Sequence, residues 1–279
     1  MNIENYLAMK RQLVDKALEK EFGKFDQIPR VLYRAMHYAV FSGGKRLRPI
    51  LTLMAFEACN GKNPSWVMPF ACGIELIHTF SLINDDLPCM DNDDWRRGKP
   101  TLHKAFDETT AILAGAALFA KAYELFCQSQ APPIPRLRAI AAISRVIGSN
   151  GIVAGQILDI KNPTPSLVLL KRIHRKKTAE LIAVSIQIGA IIAGAKEMVT
   201  KQLWSAGVDL GMLFQITDDI LDAEQDKASQ PTFVKRYGLE RAKIFARQYA
   251  RRAQGKFSML GSCFTKFNLI ADWIANRGN

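Results

Sequence analysis

Apolar residues recur along this chain at helical spacing. Ile3, Leu7, Val14 and Leu18 fall on one face of a first helix. Pro29 opens a second helix over 30–41, and Gly43-Gly44 closes it. The same reading predicts helices over 47–58, 67–83, 111–126, 137–147, 151–160, 167–192, 201–221, 233–253 and 268–275. Pro132, Pro133 and Pro135 punctuate the middle of the chain. No run alternates apolar and polar residues well enough to predict a sheet, and no repeat or long linker interrupts the pattern. The expectation is an all-α fold with residues 1–279 forming a single domain.

Composition narrows the class without naming a function. With 48% hydrophobic and 23% charged residues, the 279-residue chain is ordinary for a packed protein, which excludes a disordered chain, a collagen and a mucin-like stalk. The five cysteines include no C-x-x-C pair, so free thiols in a reducing cytoplasm are expected. The most apolar stretch, 181–195, is interrupted by Gln187 and is too short for a bilayer, so no membrane span is expected. The start lacks the basic-then-apolar pattern of a signal peptide, which again points to the cytoplasm. A net charge of +12 attracts anions: nucleic acid, anionic lipid or phosphorylated metabolites. It does not choose among them. The basic run over 241–256 is most simply a solvated helix face.

Two acidic clusters carry more information. Asp85-Asp86-Leu87-Pro88-Cys89-Met90-Asp91-Asn92-Asp93-Asp94 ends an apolar helix, because Pro88 cannot continue a regular ladder. Alone, such a cluster is more often a solvated loop than a metal site. It lacks the glycine and final glutamate of an EF-hand. The second cluster, Asp218-Asp219-Ile220-Leu221-Asp222, lies inside an apolar helix, where unpaired carboxylates are costly to bury. Asp218 and Asp222 are four residues apart and share a face, with Gln215 one turn earlier on a neighbouring face. Acids facing outward from an amphipathic helix remain the plain alternative. Both clusters suit magnesium, which takes one or two carboxylates with waters and phosphate oxygens.

Cations accompany the acids. Gly43-Gly44-Lys45-Arg46-Leu47-Arg48-Pro49 places glycines before three cations, but the spacing is not that of a Walker A loop. Arg96-Arg97-Gly98-Lys99 follows the first acidic cluster directly and could simply neutralise it. His78 lies seven residues before Asp85 and so shares its helix face. Together these residues suit a substrate with a diphosphate and an apolar remainder: aspartates hold magnesium, and arginines and lysines take the remaining oxygens.

On these motifs the sequence resembles the trans-isoprenyl diphosphate synthases, specifically the bacterial farnesyl diphosphate (geranyltranstransferase) type. Asp85-Asp86-x4-Asp91 with Arg96-Arg97-Gly98-Lys99-Pro100-Thr101 is similar to the first aspartate-rich motif, and Phe214-Gln215-x2-Asp218-Asp219-x2-Asp222 to the second. The 43–49 segment, Gly155-Gln156-x2-Asp159 and Lys177-Thr178 match other family blocks. The resemblance implies a helical bundle around a deep central cavity, usually homodimeric. It implies head-to-tail condensation of isopentenyl diphosphate with an allylic diphosphate, dimethylallyl or geranyl, with magnesium as cofactor. Asp85, Asp91 and Asp218 would lead in holding the metal, with Asp86, Asp219 and Asp222 assisting. Lys45, Arg48, His78 and Arg97 would hold isopentenyl diphosphate, and Arg96 and Lys177 the allylic diphosphate. Thr178 and Gln215 would line the cation's position.

The sequence departs from the family pattern at Asn84, at Gln230 in the place of a lysine, and in a shortened segment over 226–230. The resemblance makes Phe80, five residues before Asp85, the floor that stops chain growth, with farnesyl diphosphate as main product and geranylgeranyl diphosphate as the alternative. A terpene cyclase would need an Asn/Asp-x2-Ser/Thr-x3-Glu cluster, which Asp218-Asp219-x2-Asp222 is not. A noncatalytic or weakly active relative would fit the shortened segment, yet both aspartate motifs are kept. A nucleic-acid binder would explain the charge but not the acids inside an apolar helix, so no nucleic-acid partner is expected.

Overall fold

The structure, a computed structural model, describes residues 2–23, 28–224 and 232–277. Its elements run α1 (Ile3–Phe22), α2 (Arg30–Phe41), α3 (Leu47–Ala58), α4 (Pro64–Asp85), β1 (Trp95–Arg96), β2 (Lys99–Pro100), α5 (Leu102–Ala105), α6 (Glu108–Gln128), α7 (Pro133–Ile147), α8 (Ile152–Lys161), α9 (Leu167–His174), a π turn (Arg175–Ala179), α10 (Glu180–Ile192), α11 (Glu197–Glu224), α12 (Phe233–Tyr237), α13 (Leu239–Ser258), a 3-10 turn (Ser262–Phe264) and α14 (Thr265–Ala275). The all-α expectation holds, with two local differences. A hairpin of two-residue strands follows the first acidic cluster, too short to register as alternation. The helix expected over 167–192 is interrupted by the π turn, and that over 233–253 by Gly238, whose φ of 82° is costly for any side chain.

Contacts divide the chain into two compact units. One comprises Glu4–Leu53 and Asn63–Ala131. Its centre is α4 against α6, where Phe70 and Phe126 stack with centroids 5.0 Å apart. Gly73 permits this approach: a Cβ there would lie 2.3 Å from the Phe126 ring. Arg46, with 4% exposure, ties α1, α2 and α4 together by bonding Asp15, the Val40 carbonyl and Glu75. Asn63 and Asp107 cap α4 and α6, accepting from backbone N–H groups of their first turns.

The other unit comprises Met1–Ile3, Met54–Lys62 and Pro132–Asn279. Helix α10 is buried on nearly every side and packs on α11. Two glycines bring these backbones together: a Cβ on Gly207 would sit 2.7 Å from Ala183 Cα, and one on Gly211 would sit 2.5 Å from Ala179 Cα. Asp209, 2% exposed, is clamped to α13 by Lys256 at 2.6 Å and Arg252 at 3.0 Å.

The sequence expectation that no stretch is long and apolar enough for a bilayer needs correction. Pro64–Asp85, Glu108–Gln128 and Pro133–Lys161 each meet that length and composition. In Pro64–Asp85, 61% of the apolar window is buried inside the protein, so core packing already accounts for much of its hydrophobicity.

Candidate active site

The first acidic cluster is built on the end of α4. Asp86 caps the helix, and Pro88 prevents its continuation. The chain then folds back, with the Asp91 N–H donating to the Asp85 carbonyl at 2.9 Å. Asp85 and Asp91, both half-buried, therefore branch from neighbouring backbone. The hairpin turns at Arg97-Gly98, with φ of 53° and 74°, the twist that a two-residue β-turn of this kind requires.

That turn sends its two arginines to different partners. Arg96 returns to Asp86, with Nε at 2.7 Å and Nη2 at 2.5 Å from Oδ1, and reaches Asp93 at 3.3 Å. Burial pushes the Asp86 carboxyl up, and the Arg96 guanidinium opposes that shift. Arg97 donates from Nη1 to the Gly43 carbonyl at 2.5 Å. Gly44 must be glycine here, since its φ is 124° and a Cβ would sit 2.6 Å from Arg97 Nη1. A small cavity opens between Ser42, Thr79, Asp86, Arg96 and Arg97.

Beside them, Arg48 Nη1 lies 3.1 Å from His78 Nε2. Arginine only donates, so Nε2 accepts and the ring proton sits on Nδ1. Burial, together with the charges of Arg48, Arg97, Arg96 and Arg46, holds His78 well below its ordinary pKa and hence neutral. Lys45 is exposed, and Arg46 is fully engaged in the structural cluster described above. Phe80 is half-buried with its ring 5.0 Å from that of Phe119, which in turn lies 5.2 Å from Tyr123. Gly115 faces it across α6, where a Cβ would stand 3.4 Å from the Phe80 ring.

The second cluster is organised by the π turn. One extra residue per turn rotates Lys177 and Thr178 relative to a regular helix. Gly155 lets α8 pack on that turn, because a Cβ there would lie 2.7 Å from the Lys177 backbone nitrogen. Lys177 Nζ pairs with Asp159 at 2.9 Å. Thr178 donates to Gln215 Oε1 at 2.6 Å, Gln215 Nε2 donates to Asp219 Oδ1 at 2.9 Å, and Asp219 Oδ2 accepts the Phe233 N–H at 2.8 Å. Both oxygens of Asp219 are thereby engaged, and the residue is 3% exposed. Burial raises its pKa to about 7, with the Phe233 and Gln215 bonds opposing. His174 Nδ1 stands 3.9 Å away, but burial lowers this imidazole to about 3, so the two are no ordinary ion pair. Asp218 is half-buried and meets Arg277 Nη1 at 3.2 Å, whereas Asp222 is exposed.

The donor chemistry fits a hard divalent cation. Among the described residues, no group of three or more His, Cys, Asp or Glu side chains could hold a metal by itself. Magnesium needs no such cage, since it takes one or two carboxylates and completes its shell with water and phosphate oxygens. The resemblance leads with Asp85, Asp91 and Asp218; in the structure Asp86 meets Arg96, Asp219 meets Gln215 and the Phe233 backbone, and Asp218 meets Arg277. Gln230 and the shortened 226–230 segment lie outside the described residues.

Sequence reasoning assigned no role to Asp159 or Arg277, which contact the expected Lys177 and Asp218. The Gly155-Gln156-x2-Asp159 block carried a signal for the first. Arg277 stood only at the end of the stretch over which the resemblance runs, with no partner suggested for it. None of the five cysteines forms a disulfide.

Residues 29–233 match the polyprenyl synthetase family. The chain is 40% identical over 296 residues to a chloroplastic geranylgeranyl pyrophosphate synthase of Capsicum annuum, covering 100% of this chain and 79% of that protein. It is 43% identical over 238 residues to the farnesyl diphosphate synthase of Geobacillus stearothermophilus, covering 83% of this chain and 80% of that one. Among solved structures, a geranyltransferase from Helicobacter pylori 26695 superposes with a TM-score of 0.89 at 32% identity, covering 98% of both chains. The fold is therefore the isoprenoid synthase fold. The chain belongs to the polyprenyl synthetase family and is a trans-prenyltransferase of isoprenoid biosynthesis.

Proposed function

We propose that the protein condenses isopentenyl diphosphate head-to-tail with dimethylallyl or geranyl diphosphate and releases mainly farnesyl diphosphate. We propose further that it works in the cytoplasm as a homodimer whose whole chain acts as one catalytic domain. The observation that carries the reaction is the division of labour within each acidic pair. Asp86 and Asp219 are buried, while Asp85 and Asp218 beside them are half-buried, with Asp91 folded back against Asp85.

Magnesium held by Asp85, Asp91 and Asp218 supplies, when bound, positive charge that neutralises the departing diphosphate. Arg96 and Lys177 bind the oxygens of the allylic diphosphate. The allylic C–O bond breaks, and the diphosphate leaves with the electron pair. Thr178 and Gln215 present oxygens to the allylic cation, and the hydrogen bond between them fixes their orientation in advance. Lys45, Arg48 and Arg97 hold the diphosphate of isopentenyl diphosphate, with Arg48 oriented by neutral His78. The double bond of that substrate attacks the cation, and the proton then lost passes to the released diphosphate.

Phe80 supports the fifteen-carbon product. It lies five residues, about 7.5 Å of helix axis, below Asp85. Its packing on Phe119 makes an aromatic wall there. Geranylgeranyl diphosphate is the second reading, favoured by the Capsicum relative matched over the whole chain. Mass spectrometry of products from isopentenyl and dimethylallyl diphosphates with magnesium tests both. A fifteen-carbon product is expected, shifting toward twenty carbons in Phe80→Ala. An unchanged product from folded Phe80→Ala would put the floor elsewhere. No chain elongation at all would overturn the reaction assigned.

A further inference from the structure

Arg277 follows α14 and packs against α11. Its side chain is 8% exposed. The guanidinium lies against two aromatic rings, with its carbon 4.4 Å from the Phe214 centroid and 4.5 Å from the Trp273 centroid. Nη1 meets Asp218 Oδ1 at 3.2 Å, a long contact for a charged pair. Nε and Nη2 are buried and have no hydrogen-bond partner among the described residues. Arg46 shows what a purely structural buried arginine looks like in this protein: its Nε, Nη1 and Nη2 all have acceptors. Arg277 is instead held by ring stacking and one contact to a carboxylate, with two donors left unsatisfied.

We propose that Arg277 is a resident counter-cation of Asp218 that competes with divalent metal for that carboxylate. Metal binding at Asp218 and seating of Arg277 between Phe214 and Trp273 then oppose each other. The proposal rests on the reading of Asp218 as a metal ligand. A guanidinium keeps its charge at any working pH, so it cannot yield by deprotonation. The guanidinium is buried while the Asp218 side chain is 36% exposed, so a second cation arriving on the same carboxylate meets repulsion that solvent screens only in part. Magnesium approaches a carboxylate oxygen to about 2.0–2.1 Å, closer than the guanidinium stands, so the metal prevails once its concentration suffices. Coupling of this kind is reciprocal: whatever Arg277 costs the metal in affinity, the metal costs Arg277 in seating. Without metal, the arginine keeps a half-buried aspartate neutralised inside an apolar stretch of α11.

The test uses the full chain and Mn2+ alone, with free ion measured by electron paramagnetic resonance. Asp218→Asn should lose one class of Mn2+ site. Arg277→Met, which keeps the bulk between the rings, should tighten that class by about tenfold, the size of an ordinary coupling between two sites. Arg277→Lys, which keeps the charge, should bind as the parent does and so separates charge from packing. The change in tryptophan emission on Mg2+ titration should be smaller than the parent's in both Trp273→Phe and Arg277→Met, the remainder coming from Trp95 beside the first cluster; an undiminished change in both would overturn the movement of Arg277. Equal or weaker Mn2+ affinity in Arg277→Met, with the site still lost in Asp218→Asn, would overturn the competition and leave Asp218 standing as a ligand. Unchanged Mn2+ binding in Asp218→Asn would overturn both readings.

Discussion

The two acidic regions solve one problem by different means. Each holds adjacent aspartates, and in each the second of the pair is buried: Asp86 at 4% exposure and Asp219 at 3%. Asp86 sits at a helix end, where the chain can turn back and deliver a cation, and Arg96 of the hairpin supplies it. Asp219 sits inside α11, where no turn can bring a charge alongside, and receives neutral donors from Gln215 and the Phe233 backbone. The consequence is electrostatic. Asp86 shares its burial with a positive charge, while Asp219 bears desolvation against neutral bonds alone and is pushed up to about 7. The same residue type thus serves as half of an ion pair in one region and as a desolvated, partly protonated strut in the other. In both regions its neighbour, Asp85 or Asp218, is half-buried and so within reach of an ion from solvent.

The largest expected effect separates the outer from the inner aspartates. Asp85→Ala or Asp218→Ala should lower turnover by at least ~100-fold at saturating magnesium, the worth of one well-placed electrostatic group. Near-parental turnover in both would break the assignment of the outer pair.

A pH experiment tests the inner pair. The folded pKa of Asp219 is raised, so its contribution is full below the unfolded value near 4 and is lost as pH rises through about 7. His174 is lowered to about 3, and its contribution, present above the unfolded value near 6.5, is lost as pH falls, which opposes the Asp219 slope. Replacing Asp219 by asparagine removes one slope and leaves the other. Urea unfolding in EDTA should therefore show the stability of Asp219→Asn relative to the parent rising by about 2–3 kcal/mol between pH 5 and pH 8. A difference that stays constant with pH would mean that Asp219 is ionised throughout.

Gly211→Ala should cost about 3 kcal/mol, because a Cβ there meets the Ala179 backbone and the two helices must part. Its sharper signature is lower turnover at unchanged isopentenyl diphosphate affinity, since Thr178 and Gln215 are drawn apart. A change in that affinity alone would contradict this. Arg96→Met strands the Asp86 carboxylate. Because the arginine is itself 32% exposed, the cost should be about 2 kcal/mol, below that of breaking a fully buried pair. No loss in urea unfolding would show that solvent, not Arg96, holds Asp86.

Much of this organisation was legible in the sequence. Helices α2 and α3 have the bounds that apolar periodicity gives them, because proline and glycine punctuate their ends. Both aspartate motifs stand out by their spacing, and the resemblance named Arg48 and His78 together, though not the contact between them. The π turn was not legible, because apolar residues continue at helical spacing on both sides of it and the insertion changes rotation, not pattern. Nor was the split between Asp218 and Asp219. Adjacent identical residues carry no mark of which one turns inward; the Phe233 N–H decides that, fourteen residues on. Asp159 and Arg277 reach their partners through tertiary packing that local sequence does not encode.

The central claim is that the outer aspartate of each pair serves the metal and the inner one serves the fold. Mn2+ binding to Asp85→Asn, Asp86→Asn, Asp218→Asn and Asp219→Asn, measured on the full chain with inorganic diphosphate present, tests it most directly. The account predicts that Asp85→Asn and Asp218→Asn each lose Mn2+ while Asp86→Asn and Asp219→Asn keep it and lose stability instead. Loss of Mn2+ in the inner variants with stability intact, or its retention in the outer ones, would contradict the account.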